Sequence, residues 1–202
     1  MFGACPVLRR GPLFLAVCLS LCGCRGSSLP GTAEKFDPHA AFSKVRADAD
    51  EGAHFTGYTA SFVREDGTIN LEADYVGLGD AARYLFEMPS GNATAPIGVP
   101  QDRCVSFFIS RPRWVSDVPG EINAKFLGME TMRNPCQALR QEASPPRCHL
   151  AKLWKVARDR GAPPGAVADI RYSKSGYQFE IRSIGFALQF DAQCGVIEKG
   201  GT

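Results

Sequence analysis

The chain has 202 residues, 45% hydrophobic and 22% charged, the proportions of a polypeptide that builds a packed core rather than staying disordered. Its 23 Lys and Arg face 21 Asp and Glu, and residues 1–23 hold two of the bases, Arg9 and Arg10, and none of the acids, so the rest has no net side-chain charge. A neutral chain lacks the cationic excess from which nucleic-acid binders draw their affinity, and no nucleic-acid partner is expected.

The N-terminus has the three zones of a secretory signal: Arg9 and Arg10, an apolar run from Pro12 to Cys22, then small residues before a polar stretch. The run is shorter than the roughly 20 residues that a helix needs to cross a bilayer core. The tetrapeptide Leu21-Cys22-Gly23-Cys24 resembles the lipobox of bacterial lipoproteins, with an aliphatic residue three before the cysteine and a small one just before it. Cys22 stands where that family usually carries Ala, Ser, Thr or Val. The resemblance implies a diacylglycerol thioether on Cys24, cleavage ahead of it, and a lipid bilayer as partner through the acylated Cys24. Residues 1–23 are then a signal peptide and 24–35 a lipidated tether rich in Gly, Ser, Pro and Thr. Arg25, rather than Asp, after the lipidated cysteine favours the outer membrane of the cell envelope. The competing reading is an ordinary cleaved signal and a secreted product.

Phe36-Asp37-Pro38 predicts a helix start, with Asp37 as cap, Pro38 in the first turn and Phe36 as a staple. Phe42, Val45 and Ala49 recur at helical spacing and Gly52 ends the element. Thr56-Tyr58-Ala60-Phe62 alternate as a strand, Asp66-Gly67 supplies a turn, and Ile69-Leu71-Ala73-Tyr75 are expected to return as the partner strand. Tyr84-Phe86-Met88 and Val105-Phe107-Ile109 also alternate. Residues 89–101 read as a loop, 121–139 are ambiguous, and 140–147 form a polar loop with two prolines. Leu150, Leu153, Trp154 and Ala157 then make a helical stripe. Ala168-Ile170-Tyr172 and Tyr177-Phe179-Ile181 flank a turn at Lys174-Ser175-Gly176, and Phe186-Leu188-Phe190 add a further strand.

The second series repeats the order of the first. Gly52-Ala53 and Gly161-Ala162 are offset by 109 positions, as are the turn glycines Gly67 and Gly176. The pattern predicts an α+β domain over 36–198, built from two helix–hairpin modules (36–75 and 148–194) that pack their helices on one face of an antiparallel sheet. A helix followed by a short antiparallel sheet, twice over in an exported chain, resembles the PepSY domain and the tandem-repeat β-lactamase-inhibitory proteins. That resemblance covers Phe36–Tyr75 and Cys148–Cys194, and implies a non-catalytic role in binding or inhibiting another envelope protein.

Of eight cysteines, Cys5, Cys18 and Cys22 leave with the signal and Cys24 takes lipid. Cys104, Cys136, Cys148 and Cys194 remain, an even number in an oxidising compartment, which predicts two disulfides. Four cysteines allow three pairings. Cys148–Cys194 with Cys104–Cys136 is favoured, because Cys148 opens a predicted helix and Cys194 ends the last strand. No Cys-x-x-Cys pair or zinc-ligand spacing occurs, so neither metal nor cofactor is expected. His39, His54 and His149 have no neighbouring nucleophile pattern, and Gly77-Leu78-Gly79-Asp80 reads as a loop rather than a phosphate cradle. Arg111, Arg113 and Trp114 have the composition of a protein-binding anchor, although large aromatics are more often buried. The function expected is a non-enzymatic binding or scaffold lipoprotein with an unknown envelope protein as partner. The alternative is an inhibitor of a periplasmic or extracellular hydrolase, with the loop around Gly77–Asp80 plugging its cleft; an unrecognised enzyme ranks third.

Overall fold

A computed structural model describes residues 29–76, 80–88, 103–110, 113–114, 125–126, 129–135 and 140–198. The described backbone begins inside the stretch read as a tether. Leu29 is buried in the core, and β1 (Gly31–Thr32) pairs with β2 (Lys35–Phe36). Helix α1 (Pro38–Asp48) starts as its sequence requires: Asp37 Oδ1 accepts from the backbone N–H of His39 at 2.8 Å and of Ala40 at 3.0 Å, satisfying two groups that a helix start leaves orphaned. The chain continues through β3 (His54–Val63), β4 (Asp80–Met88), β5 (Arg103–Ser110), β6 (Arg113–Trp114), β7 (Lys125–Phe126) and β8 (Met129–Pro135). It ends with α2 (Leu150–Asp159), β9 (Ala168–Ser173), β10 (Gly176–Ile181) and β11 (Phe186–Phe190).

Seven strands form one antiparallel sheet in the order β11-β10-β9-β3-β4-β5-β8, and β6 pairs with β7 apart from it. Among the described residues the fold is therefore mostly sheet, with two short helices of 11 and 10 residues. This corrects the expected α+β arrangement of two helix–hairpin modules. The first module does not form, because 69–75 is not a strand. Ile69 instead bridges Phe36, with hydrogen bonds of 3.0 and 2.8 Å. Asn70 Oδ1 accepts from the N–H of Glu72 at 3.0 Å, and residues Asp74–Val76 close into a 3-10 turn. Short polar side chains that bond their own backbone compete with a ladder, and here they win. The partner of β3 is β4, with Tyr58 opposite Tyr84. The hairpin of the second series does form: β9 and β10 meet at the predicted turn, and β11 follows.

Two adjacent rows of the register set the two faces apart. Phe190, Tyr177, Tyr172, Tyr58, Tyr84 and Phe107 lie opposite one another across six strands, and all are buried. One residue along, Gln189, Gln178, Arg171, Thr59, Arg83 and Phe108 form the next row, on the opposite face because side chains alternate. The aromatic row faces the helices. Tyr84 OH donates to the Pro38 carbonyl at 2.5 Å, and Trp154 meets Phe179 edge to face with centroids 4.9 Å apart. Leu150, Leu153, Trp154 and Ala157 are all buried, the stripe expected of a helix on a core.

Cys148 and Cys194 form a disulfide with Cα atoms 5.8 Å apart, as the sequence reading favoured. Cys104, half-buried in β5, is also disulfide-bonded, while Cys136, its expected partner, lies outside the described residues. Cys148 precedes α2 and Cys194 follows β11, so the bond ties both ends of the C-terminal unit over a separation of 46 residues. In the loop-entropy picture a closure of that length contributes about 4 kcal/mol. The double variant Cys148→Ser/Cys194→Ser is accordingly expected to lose about that much in urea unfolding while keeping its far-ultraviolet circular dichroism.

Candidate functional site

The face opposite the helices carries the polar row, exposed at Arg83, Arg171 and Gln178 and buried at its Phe108 end. Two hollows of about 460 and 380 Å³ lie there and share Thr59, Leu85, Arg140 and Arg171, so they form one continuous cleft. Its floor is the middle of the sheet, β9, β3 and β4. Two local features place it. Gly57 takes φ +156° at a bulge in β3, where a Cβ would stand 2.3 Å from the Tyr172 carbonyl oxygen, so a glycine is required for β9 to come close. Beyond the end of β9, the segment from residue 140 takes over its place beside β3: the Ala143 N–H donates to the Phe55 carbonyl at 2.8 Å. The buried carboxylate of Glu87 accepts from the Arg140 N–H at 2.8 Å and holds Arg140 at the cleft wall.

The cleft is cationic although the chain is balanced. Arg83 is spread over the Phe108 ring at 4.5 Å and paired with Asp80 at 2.6 Å. Arg182 is paired with Asp169 at 2.6 Å. Arg140, Arg171 and Lys174 line the cleft as well, and none of them forms an ion pair with a described carboxylate. A larger hollow of about 610 Å³ lies at the β10–β11 edge, but it is not cationic: its one cation, Arg160, pairs with Glu198 at 3.3 Å, and Glu180 is its other charged residue.

A second cluster sits where the helices begin. The rings of His39, in the first turn of α1, and His149, which caps α2, lie 4.3 Å apart between centroids. Burial, the neighbouring His149 and, in the opposite sense, the Asp37 carboxylate act on His39, and the balance lowers its pKa below the ordinary histidine value. Its Nδ1 and the Tyr58 hydroxyl are buried without a hydrogen-bond partner. Tyr177, whose hydroxyl accepts from the Cys148 N–H at 3.1 Å, is pushed up to about 12 by burial. The third histidine does not join them: His54 opens β3 and meets Glu142 at 3.4 Å on the surface. Among the described residues no group of three or more His, Cys, Asp or Glu is placed to hold a metal.

Cys24, Arg111 and Gly77–Gly79 lie outside the described residues; Arg113 and Trp114 form β6, described here by its backbone pairing with β7. The cleft cations were not singled out in the sequence. The signal available was the strict alternation of Arg83 with Tyr84 and of Arg171 with Tyr172. Comparison with known proteins finds no matching family model, no matching curated protein and no matching solved structure.

The helix junction gives a pH dependence. An imidazole whose folded pKa lies below its unfolded value near 6.5 takes up its proton more readily when unfolded, so its contribution is complete above that value and falls as the pH drops through it. The urea midpoint is expected to be lower at pH 5.5 than at pH 7.5, at values where carboxylates stay ionised. His39→Leu should shrink that difference.

Proposed function

We propose that this is a lipid-anchored envelope protein that binds another protein, without catalysis, through the open face of its sheet. The observation that carries the reading is the contrast between two adjacent rows of one sheet: the aromatic row is sealed by helices and core, while the next bears a cleft with cations left unpaired by any described carboxylate. An antiparallel sheet tolerates water on one face, so bareness alone says little. Like charges gathered in a hollow repel one another and are retained at a cost, which an anionic partner offsets.

Three further features support the setting. The N-terminal segment has the layout of a secretory signal and ends at the lipobox-like Leu21-Cys22-Gly23-Cys24. Two acyl chains or more make durable anchorage, each buried methylene contributing about 0.8 kcal/mol. The Cys148–Cys194 disulfide suits an exported chain. The binding role needs no reactive group, and His39 and His149, whose rings meet where the helices begin, are not among the residues that line the cleft.

Two measurements test this. The mass of the intact native protein should correspond to a chain starting at Cys24 plus acyl groups, and Cys24→Ser should accumulate as the uncut precursor; a lipid-free product beginning elsewhere refutes the anchor. A photo-crosslinking amino acid at position Gln178, on the open face, should trap an envelope protein in cells, whereas one at Lys155, on the outer side of α2, should not. Equal trapping from both positions, or none from Gln178, would overturn the choice of face.

A further inference from the structure

We propose that the cleft takes an acidic, extended segment of the partner protein, holding carboxylates on alternate residues against Arg171, Arg140 and Lys174. The proposal rests on the open face being the binding surface and names the chemistry of what it binds.

Charge and geometry supply the argument. Arg171 stands opposite Thr59 in the register, and Arg140 lines both hollows together with these two residues. Carboxylates on every second residue of an extended chain lie on one side about 7 Å apart. The flexible side chains of Arg171 and Arg140 can each meet one carboxylate of such a pair, the guanidinium fork donating two parallel hydrogen bonds to it. Arg83 is held by Asp80 and by the Phe108 ring, and Arg182 by Asp169, so these two cations are fixed by carboxylates of this chain. Arg171, Arg140 and Lys174 have no such described partner. They are the ones left to pair with a ligand. The Thr59 hydroxyl lies between Arg171 and Arg83 and adds a neutral hydrogen-bonding group to the floor.

An anionic bilayer offers the same kind of charge, but the placement of the chain disfavours it. Four residues separate Cys24 from Leu29, which is buried in the core that the helices close. Five virtual bonds reach at most about 17 Å. Phe36, at the end of the same N-terminal hairpin, leads directly into α1 and bridges Ile69. A lipid at Cys24 therefore draws the helix-bearing side toward the membrane and leaves the cleft facing away from it.

The test uses the native processed protein in zwitterionic detergent micelles and a fluorescently labelled ten-residue peptide with glutamate at every second position. Anisotropy should report saturable binding that weakens at least tenfold in Arg171→Gln, and similarly in Arg140→Gln, with no change in Lys155→Gln. The same peptide with glutamine at those positions should not bind. Equal binding of the two peptides, or no loss in Arg171→Gln, overturns the proposal. So does selective binding of phosphatidylglycerol vesicles with no binding of the peptide, which would assign the cleft to lipid. The wider reading is judged separately: crosslinking from Gln178 to an envelope protein, with the acidic peptide silent, would retain the binding face and discard its acidic partner.

Discussion

Strand β3 joins the two halves of this molecule, and the architecture depends on its being paired on both sides. One edge bonds to β4, the other to β9, and through them the N-terminal and C-terminal groups of strands become one sheet. The same strand anchors both helices. Its Val63 carbonyl accepts from Trp154 Nε1 at 3.1 Å, and Phe55 packs on Phe42 of α1 with ring centroids 4.7 Å apart. Gly57 permits the close approach of β9 where any side chain would collide with the Tyr172 carbonyl. Loosening β3 would therefore separate the sheet halves, release the helices and divide the cleft floor in one event. Unfolding of such a unit is cooperative because no subset of its strands keeps a sealed face.

What could be read from residue order was governed by range. Local signals served well. The cap and first-turn proline of α1, the apolar stripe of α2, and the β9–β10 hairpin with Gly176 in its turn all stand where their chemistry put them. The Cys148–Cys194 pairing followed from placing cysteines at the ends of recognised elements. The failure came where a local pattern met a distant competitor. Ile69, Leu71 and Ala73 alternate with polar residues as a strand does, yet Ile69 and Leu71 are drawn into the core beside Phe36 and Ala33 instead of beside β3. The strand that displaced them, β4, was visible as alternation at Tyr84-Phe86-Met88, but nothing in the sequence said that β3 would bypass the nearer candidate. A match of spacing between two modules, even one shared by two pairs of glycines, did not outweigh that.

The cleft was illegible for a different reason. A half-buried strand in which charged and aromatic residues alternate announces that its charged side is wet, and nothing more. Whether those charges gather or disperse depends on strand order, which brings Arg83 and Arg171 to either side of Thr59 although they are far apart in the chain. Arg140 arrives through a tertiary contact: the buried Glu87 fixes its backbone. An aromatic row on the core face has the opposite property. Burial of tyrosine rings is forced by hydrophobicity, so the tyrosines could be assigned to the core before any pairing was known.

A chain with no net charge outside its first residues can hold a cationic cleft because many of its acids lie elsewhere, among them Asp48 at the end of α1, Asp50 and Glu51 after it, and Glu65, Asp66, Glu72 and Asp74 after β3. Such segregation gives little attraction at long range, since opposite fields cancel beyond the roughly 8 Å over which physiological salt screens charge. A freely diffusing protein would forfeit association rate by this arrangement, because steering works through the long-range field. A protein held by lipid in the same membrane as its partner has no such need. Confinement raises the local concentration of each for the other, and encounter follows without a field. What remains for charge to do is discriminate at contact, where paired and unpaired carboxylates differ most. Neutral overall balance and a locally cationic cleft are thus compatible with the tethered binding role proposed for this chain.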